Sequence, residues 1–307
     1  MSPAWPALPY EVWQPTRDTL HSHTQVLGKL AVSLAPPEPQ LQHAALRLTA
    51  RGWETQPLPA PDGSGSFVVA LDLRTYEALV EHSDGRDRKI PLTPDRAVGE
   101  VTRAVLAAVG ELAGPVKINP TPQETAWKTP LDEDDEHASF DRAQVDAYFA
   151  AATRAAQVLA EARAPYRGRS TPVNAWWGAF DLSVGLFSGR PVPPPSDDFI
   201  MRNSGDAEQV AVGWWPGDTR YPRRVLRVRV SRARGALGRA AFPGRRTLGR
   251  NARRIHPRLG RRPRTARPAR RRARVRPFRR AERLRSMWLG PAARRERRGG
   301  HGARALG

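Results

Sequence analysis

Hydrophobic residues alternate most regularly in the stretch STPVNAWWGAFDLSVGLFSGR, which covers Ser170 to Arg190. Read with a period of two, both sets of alternate positions from Val173 to Leu182 are largely apolar. A strand that is apolar on both faces is typical of the centre of a sheet that is covered on both sides. We therefore expect this stretch to be one central strand, with the rest of the chain supplying the covering layers.

Apolar residues recur at helical spacing in three other segments, which predicts three main helices. In the first, Thr16 is the expected N-cap, and prolines stop the helix after Leu34. In the third, Asp141 and Gln144 have the spacing of a capping box. The predicted helices run from about Arg17 to Leu34, from about Asp95 to Leu112 and from about Asp141 to Leu159.

Short segments of strand-forming residues, separated by turn signals, predict an antiparallel meander between the first two helices. The strongest turn signal is the pair Asp84 and Gly85, which is typical of a tight hairpin. A later apolar run, Gln209 to Trp215, predicts one more strand. These elements together predict an α+β domain over residues 1–221, with an antiparallel or mixed sheet and about three main helices. The predicted meander strands are residues 44–51, 66–73, 78–81 and 89–92.

Charge divides the chain into two different parts. Of its 51 basic and 30 acidic residues, 31 arginines and two glutamates lie in residues 222–307, which contain no lysine. Residues 1–221 therefore have a net charge of −8, and the remainder has a net charge of +29. A segment with so few large apolar residues cannot offset the entropy lost on ordering, so we predict a disordered Arg-rich tail over residues 222–307.

Two interpretations of this tail remain open. It is either a polycation that binds nucleic acid through the phosphates, or the product of a GC-rich gene that is read out of frame. We favour the second, because arginine occurs with alanine, glycine and proline but without lysine. The pattern predicts an edge strand over Val225 to Val230, where valine and arginine alternate, and from about Gly235 onward little burial against residues 1–221.

The composition also bears on the compartment. The chain has no cysteine, which excludes disulfides and thiolate chemistry and is compatible with a reducing compartment. Its N-terminus lacks the basic and apolar regions of a signal peptide, and no run of about 18 apolar residues occurs. We therefore expect a cytoplasmic protein that has no membrane partner.

The first predicted helix carries a polar face. His21, Gln25 and Lys29 are spaced by four residues and so lie on one side of the helix. This face either lines a pocket for an anion or a carbonyl group, or is an ordinary solvated stripe. His21 and His23 are two residues apart and point to different faces, which argues against a two-histidine metal site. No zinc-binding spacing or phosphate loop occurs, so we predict neither a metal nor a cofactor.

Two further residues are candidates for chemistry. His137 follows an acidic run, residues 132–136, whose carboxylates favour its protonated form. It is either a general acid or binding group, or a loop histidine bonded to the backbone. Asp181 lies within the apolar run, where a carboxylate must be paired, hydrogen-bonded or open to a cleft. The alternative is a structural aspartate at the end of a strand.

Several segments, taken in order, resemble one bacterial family of uncharacterised proteins, the domain of unknown function five-nine-nine-six. The resemblance covers roughly residues 8–221, and beyond Tyr221 the aromatic strand and final helix of the family are missing. The segments are LPYEVWQPTRDTLHSHTQVLGKLAVSLAPP, LTARG, HSDGR, DEHASFD, TPVNAWWGAFDLSVGLFSGR and VAVGWWPGD. Because the family has no established activity, the resemblance draws attention to residues without assigning roles. They are His21, Gln25, Lys29, Arg51, Asp84, Arg86, His137, Asp141, Asp181 and Arg190.

These observations leave hypotheses from different functional classes. The first is a small-molecule enzyme or binder with a composite cleft, in which His21, His137 and Asp181 are the catalytic candidates. The second is a structural or protein-interaction domain whose tryptophans fill a core and one exposed patch. Nucleic-acid binding is a third, if the basic tail is genuine. The binding candidates of the first hypothesis are Gln25, Lys29, Arg51, Arg86 and Arg190.

Overall fold

The structure is a computed structural model that describes residues 5–217 and the backbone of a strand at residues 225–231. The helices are α1 (Tyr10–Leu34), α2 (Val98–Ala113), α3 (Arg142–Arg163) and the short α4 (Phe199–Ser204). The first strands are β1 (Arg47–Leu48), β2 (Gly52–Glu54), β3 (Leu58–Pro59), β4 (Ser66–Asp72), β5 (Glu77–His82) and β6 (Asp87–Pro91). The later strands are β7 (Asn174–Trp176), β8 (Asp181–Pro191), β9 (Ala207–Trp215) and β10 (Val225–Ser231). The described part is therefore α+β, as the sequence predicted.

Helix α1 begins earlier than its capping signal predicted. It starts at Tyr10 and continues through Pro15, so Thr16 lies inside the helix and does not cap it. Proline in a helix removes a hydrogen bond, but Tyr10 and Trp13 bury their rings on this extra turn, which compensates the loss. The hydroxyl of Thr16 accepts a hydrogen bond from the backbone N–H of Asp141 at 3.1 Å. It thereby joins α1 to the start of α3.

The other two predicted helices differ less from the structure. Helix α2 begins at Val98 because Asp95 has a φ of +69°, which no residue within an α-helix adopts. Asp141 caps α3 by accepting a hydrogen bond from the N–H of Gln144 at 3.0 Å. The second half of the predicted capping box is absent, because the N–H of Asp141 already bonds to α1. The side chain of Gln144 instead donates to the carbonyl of Val12 at 3.4 Å.

The meander forms an antiparallel sheet in the order β1-β2-β4-β5-β6, and β3 also pairs with β4. The second sheet has the order β10-β9-β8-β7 and is also antiparallel. Among the described residues, an isolated antiparallel bridge between Leu46 and Ala175 links the two sheets. Of the strands that the structure describes, β10 lies at the edge of the second sheet, as the alternation of valine and arginine predicted.

The prediction that Ser170 to Arg190 forms one central strand is wrong. The stretch is a hairpin, in which β7 and β8 pair antiparallel and the chain turns back between Trp177 and Phe180. Phe180 has a φ of +56°, a backbone conformation that a strand does not contain. The alternation in the sequence arises because both the hairpin strands and the turn between them bury apolar residues.

An aromatic cluster explains why the chain turns at this point. The ring of Phe180 is fully buried and stacks on Trp53 at 5.3 Å and on Tyr148 at 5.0 Å between centroids. Tyr148 also stacks on Trp13 at 5.4 Å. The indole N–H of Trp53 donates to the hydroxyl of Tyr148 at 3.1 Å. The meander, α1, α3 and the hairpin turn therefore share one core.

The described residues all belong to one compact unit. The predicted tail lies outside the described residues apart from β10. The expectation of little burial beyond Gly235 therefore also falls outside them. Within the described part, no helix is long and apolar enough to cross a membrane.

Candidate functional site

The turn between β7 and β8 lies against the polar face of α1. Trp177 packs on Gly28, and its indole N–H donates to the carbonyl of Ala44 at 3.0 Å. The ammonium group of Lys29 lies 5.5 Å from the centre of the same indole. Burial lowers the pKa of Lys29 to about 8. The three residues predicted on one helical face, His21, Gln25 and Lys29, therefore all contact this turn.

His21 bonds to the turn through one ring nitrogen. Its Nε2 lies 2.9 Å from the carbonyl oxygen of Trp177 and 3.0 Å from that of Gly178. Carbonyl oxygens only accept, so Nε2 carries the hydrogen and Nδ1 carries the lone pair. The amide nitrogen of Gln25 also lies 3.1 Å from Nε2, but its two hydrogens are directed to the carbonyls of Gln123 and Trp177. Burial, together with the nearby charge of Arg17, lowers the pKa of His21 to about 3. The ring is therefore neutral at physiological pH, and its Nδ1 has no hydrogen-bond partner among the described residues.

Gln25 connects the turn to the long loop that precedes α3. Its amide nitrogen donates to the carbonyls of Trp177 at 3.1 Å and Gln123 at 2.9 Å. Its amide oxygen accepts the backbone N–H of Gln123 at 3.0 Å. Both the nitrogen and the oxygen of this side-chain amide therefore bond to other segments of the chain. Gln25 holds together two of the segments that form the cleft described next.

A cleft of about 540 Å³ opens beside His21. The N-terminal half of α1, the loop between α2 and α3, the hairpin turn and the end of β9 form its walls. Trp127 contacts both imidazoles of the cleft, with its ring centroid 5.7 Å from that of His21 and 4.6 Å from that of His137. The lining residues are Tyr10, Gln14, Arg17, Asp18, His21, Glu124, Thr125, Ala126, Trp127, Glu136, His137, Ala179 and Trp215.

His137 is held in the cleft wall by Asp134. The Nδ1 atom of its ring lies 2.8 Å from the carboxylate, whose side chain is fully buried, whereas the His137 side chain is 17% exposed. The same carboxylate accepts the backbone N–H groups of Glu136 at 3.2 Å and His137 at 3.1 Å. The hydrogen bond to Asp134 outweighs burial and raises the pKa of His137. The sequence predicted this direction from the acidic run.

The pKa of Asp134 shows the complementary effect. Burial alone would raise it, but the hydrogen bonds from the ring and backbone of His137 and from the N–H of Glu136 outweigh burial and lower the pKa. The aspartate is therefore ionised at neutral pH. Nδ1 of His137 donates to it, and Nε2 is the nitrogen left for a ligand.

Arg17 supplies the buried positive charge of the cleft. Its side chain is 8% exposed, and its Nη1 donates to the carboxylate of Asp18 at 2.5 Å. The guanidinium carbon lies 5.9 Å from the ring centre of Tyr10 and 5.7 Å from that of Phe180. The Nε atom is buried without a hydrogen-bond partner in the described part of the chain. The cation is thus surrounded by aromatic rings and one carboxylate.

Asp181 lies at a neighbouring cavity of about 290 Å³ rather than at the cleft. This cavity lies over small residues of β8 and β9, including Ser183, Gly185 and Gly213. Glu124 and Ala179 line both cavities. Of the three catalytic candidates, the structure therefore brings His21 and His137 into one cleft and Asp181 into the adjacent cavity.

The predicted arginines contact carboxylates elsewhere and line neither cavity. Arg51 pairs with Glu54 at 3.1 Å and with Glu81 at 2.8 Å, which ties together strands of the meander. Arg86 pairs with Asp84 at 2.7 Å and also donates to the carbonyl of Leu112. Arg190 pairs with Glu208 at 2.6 Å. A binding role for these arginines, and for Lys29, stays a prediction.

The described side chains include no group of three histidine, aspartate or glutamate residues that could hold a metal ion. His21 and His23 are both buried, and the charged form of each is disfavoured by burial. This lowers the pKa of His23 to about 4.

A protein-family model described as a family of unknown function (DUF5996) matches residues 5–226. The chain belongs to this family. No curated protein and no solved structure matches it. The family match includes every residue that lines the two cavities. It ends at residue 226, five residues beyond Tyr221, at which the resemblance of the sequence segments ends.

Sequence reasoning missed three residues on which the chemistry of the cleft depends in this DUF5996 protein. Arg17 lies four residues before His21, and this helical spacing was a signal that could have added it to the polar face. Asp134 lies three residues before His137 within the acidic run, but nothing in the run distinguishes it from its neighbours. Trp127 lies in an irregular loop, where no periodicity shows which way a side chain points.

Proposed function

We propose that this protein is a small-molecule enzyme in which His137 exchanges a proton with the substrate. The observation that carries the proposal is the pairing of His137 with the buried carboxylate of Asp134 at the wall of a cleft. An aspartate that holds one ring nitrogen fixes the orientation and tautomer of the imidazole, so that the other nitrogen is available for acid–base chemistry. The raised pKa favours the protonated form of His137, which can donate a proton to a bound substrate.

The other residues of the cleft support this role. Neutral His21 offers a hydrogen-bond acceptor rather than a charge, because its pKa is about 3. Arg17 offers a positive charge, and the rings of Tyr10, Trp127 and Trp215 offer apolar surface. A concave site in which polar and charged groups lie beside aromatic rings is compatible with small-molecule binding. In this proposal Asp181 has no direct part, since it lines the neighbouring cavity.

The alternative of an interaction domain has less support. An interaction domain of this kind requires an exposed patch of tryptophans. The exposed large apolar residues in the described part of the chain are Val12, Phe199 and Val210, none of which is a tryptophan. Trp13, Trp53 and Trp214 are buried in the core instead. Single exposed apolar residues are ordinary on protein surfaces and do not define an interface.

The proposal is tested by incubating the full-length chain with a bacterial metabolite extract and following the loss of compounds by mass spectrometry. We expect at least one compound to be consumed, and His137→Gln to slow its consumption by about 100-fold or more. His82→Gln is the matched control, because His82 is buried outside both cavities. If no compound is consumed, or if His137→Gln consumes it as fast as the unaltered protein does, the proposal is wrong.

We also infer that residues 222–307 result from a shifted reading frame. The end of the family match at residue 226 and the 31 arginines without lysine support this inference. Sequencing the gene around the codons for Arg220 to Arg224 tests it. If the frame is correct as it stands, the charge of this segment favours binding to nucleic acid. The absence of cysteine supports a cytoplasmic location, which stays a proposal.

A further inference from the structure

The guanidinium of Arg17 has fewer partners than its charge and its five N–H donors require. Within the described residues it makes one hydrogen bond, from Nη1 to Asp18, although its side chain is 8% exposed. Its Nε is buried and has no acceptor. Buried charged donors are normally paired, since leaving them without an acceptor is destabilising. An arginine with unmet donors at the wall of a cleft is therefore suited to binding a ligand anion.

Two other polar atoms of the same cleft also lack partners among the described side chains. The indole Nε1 of Trp127 is a buried donor without an acceptor. The Nδ1 of His21 is a buried acceptor without a donor, because Nε2 carries the hydrogen that faces the turn. Arg17, His21 and Trp127 all line the cleft. A ligand that satisfies this set has an oxygen acceptor for the two donors and a hydroxyl or amino group for the imidazole.

The walls of the cleft indicate the shape of the ligand. Tyr10, Trp127 and Trp215 contribute aromatic surface. Aromatic rings bind flat ligands by stacking or edge contacts. The carboxylates of Asp18, Glu124 and Glu136 also line the cleft and favour a cationic ligand. The buried guanidinium of Arg17 favours an anionic ligand, and the test below compares the two charges directly. Asp18 already accepts hydrogen bonds from Arg17 and from Gln14.

We propose that the cleft binds a flat, partly apolar carboxylate, that Arg17 and the indole N–H of Trp127 bind its carboxylate group, and that a neighbouring hydroxyl or amino group donates to Nδ1 of His21. The proposal rests on the proposed function in that it concerns the same cleft. It names the substrate class, and it assigns Arg17 a binding role rather than a catalytic one. Carboxylate recognition by arginine is common because the planar guanidinium matches both oxygens.

The test measures binding to the full-length chain by isothermal titration calorimetry, with small probes of matched shape. Benzoate, its neutral isostere benzamide and the cation benzamidine have the same ring and differ in charge. We expect benzoate to bind at least about tenfold more tightly than benzamide or benzamidine. We also expect 2-hydroxybenzoate to bind more tightly than benzoate, because its hydroxyl supplies the donor for His21.

Variants then locate the anion contact. We expect Arg17→Gln to remove the preference for benzoate over benzamide, and Arg88→Gln to retain it. Arg88 is the matched control because it also loses one arginine from an ion pair, with Glu111, but lies outside both cavities. If Arg17→Gln fails to fold, the comparison of benzoate with its isosteres on the unaltered protein still decides the proposal.

Four results would overturn the proposal. The first is equal binding of benzoate and benzamide, and the second is tighter binding of benzamidine than of benzoate. The third is no binding of benzoate or 2-hydroxybenzoate up to about 10 mM. The fourth is an unchanged preference for benzoate over benzamide in a folded Arg17→Gln variant. These results are independent of turnover. If Arg17-dependent binding of benzoate is observed but His137→Gln leaves metabolite consumption unchanged, the ligand class holds and the acid–base function fails. If the reverse is observed, the acid–base function holds and the ligand class fails.

Discussion

The indole of Trp177 packs directly on the backbone of Gly28, so closely that a Cβ atom at position 28 would overlap the indole ring. This packing fixes the distance between α1 and the hairpin turn. The hydrogen bonds of His21 and Gln25 to the carbonyl of Trp177 depend on that distance. Residue 28 therefore controls how the two walls of the cleft meet.

Gly28→Ala is expected to destabilise the protein. Alanine would gain about 1 kcal/mol from helix propensity. Overlap with the indole costs about 1–3 kcal/mol or more when neither side can move freely. Because Trp177 is also held by its hydrogen bond to Ala44, we expect the overlap to dominate and the free energy of unfolding to fall by about 2 kcal/mol. Urea unfolding followed by tryptophan fluorescence measures the change.

Gly110→Ala is the matched control in α2. A Cβ atom at this position meets nothing within 4 Å, and its φ is not positive. Here only the helix propensity changes, so we expect stabilisation of up to about 1 kcal/mol. If both alanine variants change stability in the same direction, packing of Trp177 on Gly28 is not the limiting factor.

Tyr148→Phe tests the hydrogen bond at the centre of the aromatic cluster. The variant keeps the ring but leaves the buried N–H of Trp53 without its acceptor. We expect a loss of about 1–3 kcal/mol in the free energy of unfolding. Tyr76→Phe removes an exposed hydrogen bond to Asp146 and should cost less than about 0.5 kcal/mol. Equal effects of the two variants in the same urea titration would argue against the buried bond.

The two buried histidines of α1 should make the free energy of unfolding depend on pH between about 5 and 6.5, above the ordinary pKa values of carboxylates. The pKa of His21 is lowered from 6.5 to about 3, and that of His23 to about 4. The unfolded chain therefore binds protons below pH 6.5 that the folded chain does not, and stability falls as the pH falls towards these values. Between pH 6.5 and 5 we expect a loss of about 1.5 kcal/mol for each histidine.

His23→Leu provides the check on this dependence. His23 is buried, and its Nδ1 has no partner among the described residues, so leucine should be tolerated. We expect the variant to lose about half as much stability between pH 6.5 and 5 as the unaltered protein does. Urea titrations at several pH values measure both slopes. Parallel pH dependences for the two proteins would contradict the assignment.

Asp134→Asn should lower the pKa of His137, because the variant removes the negative charge that favours the imidazolium and leaves one neutral acceptor oxygen in place of the carboxylate. The histidine Cε1–Hε1 signals in an NMR titration report this pKa. Asp135→Asn is the control, since it removes one charge from the adjacent position of the same loop. An unchanged pKa of His137 in Asp134→Asn would show that the pair does not form in solution.

The same pair makes a prediction for stability. The folded pKa of His137 is raised, so its contribution is fully present below the unfolded value of 6.5 and is lost as the pH rises through the folded value. Asp134 contributes above its unfolded value of 3.8, and this is lost as the pH falls through its lowered pKa. The destabilisation by Asp134→Asn should therefore be largest between about pH 4 and 6.5. A destabilisation that does not vary with pH would indicate packing instead.

Local patterns accounted for most of the secondary structure. The helices, the meander, the cap at Asp141 and the edge strand β10 follow from periodicity and turn residues, which act over a few positions. The two main errors occurred where distant contacts outweigh local preference. Helix α1 continues through Pro15 because the turn before it buries Trp13. The apolar run around Trp177 folds back because Phe180 stacks on rings from the meander and α3.

The sequence by itself determined that His21, Gln25 and Lys29 share a helical face and that the acidic run raises the pKa of His137, since both effects depend on neighbours along the chain. Only the tertiary structure decided what that face meets, because His21 and Trp177 are 156 positions apart and no periodicity relates them. It also placed Arg17 and Trp127 in the cleft and Asp181 outside it. Which distant segments pack together depends on the shapes of complete surfaces, and a one-dimensional pattern does not contain this information.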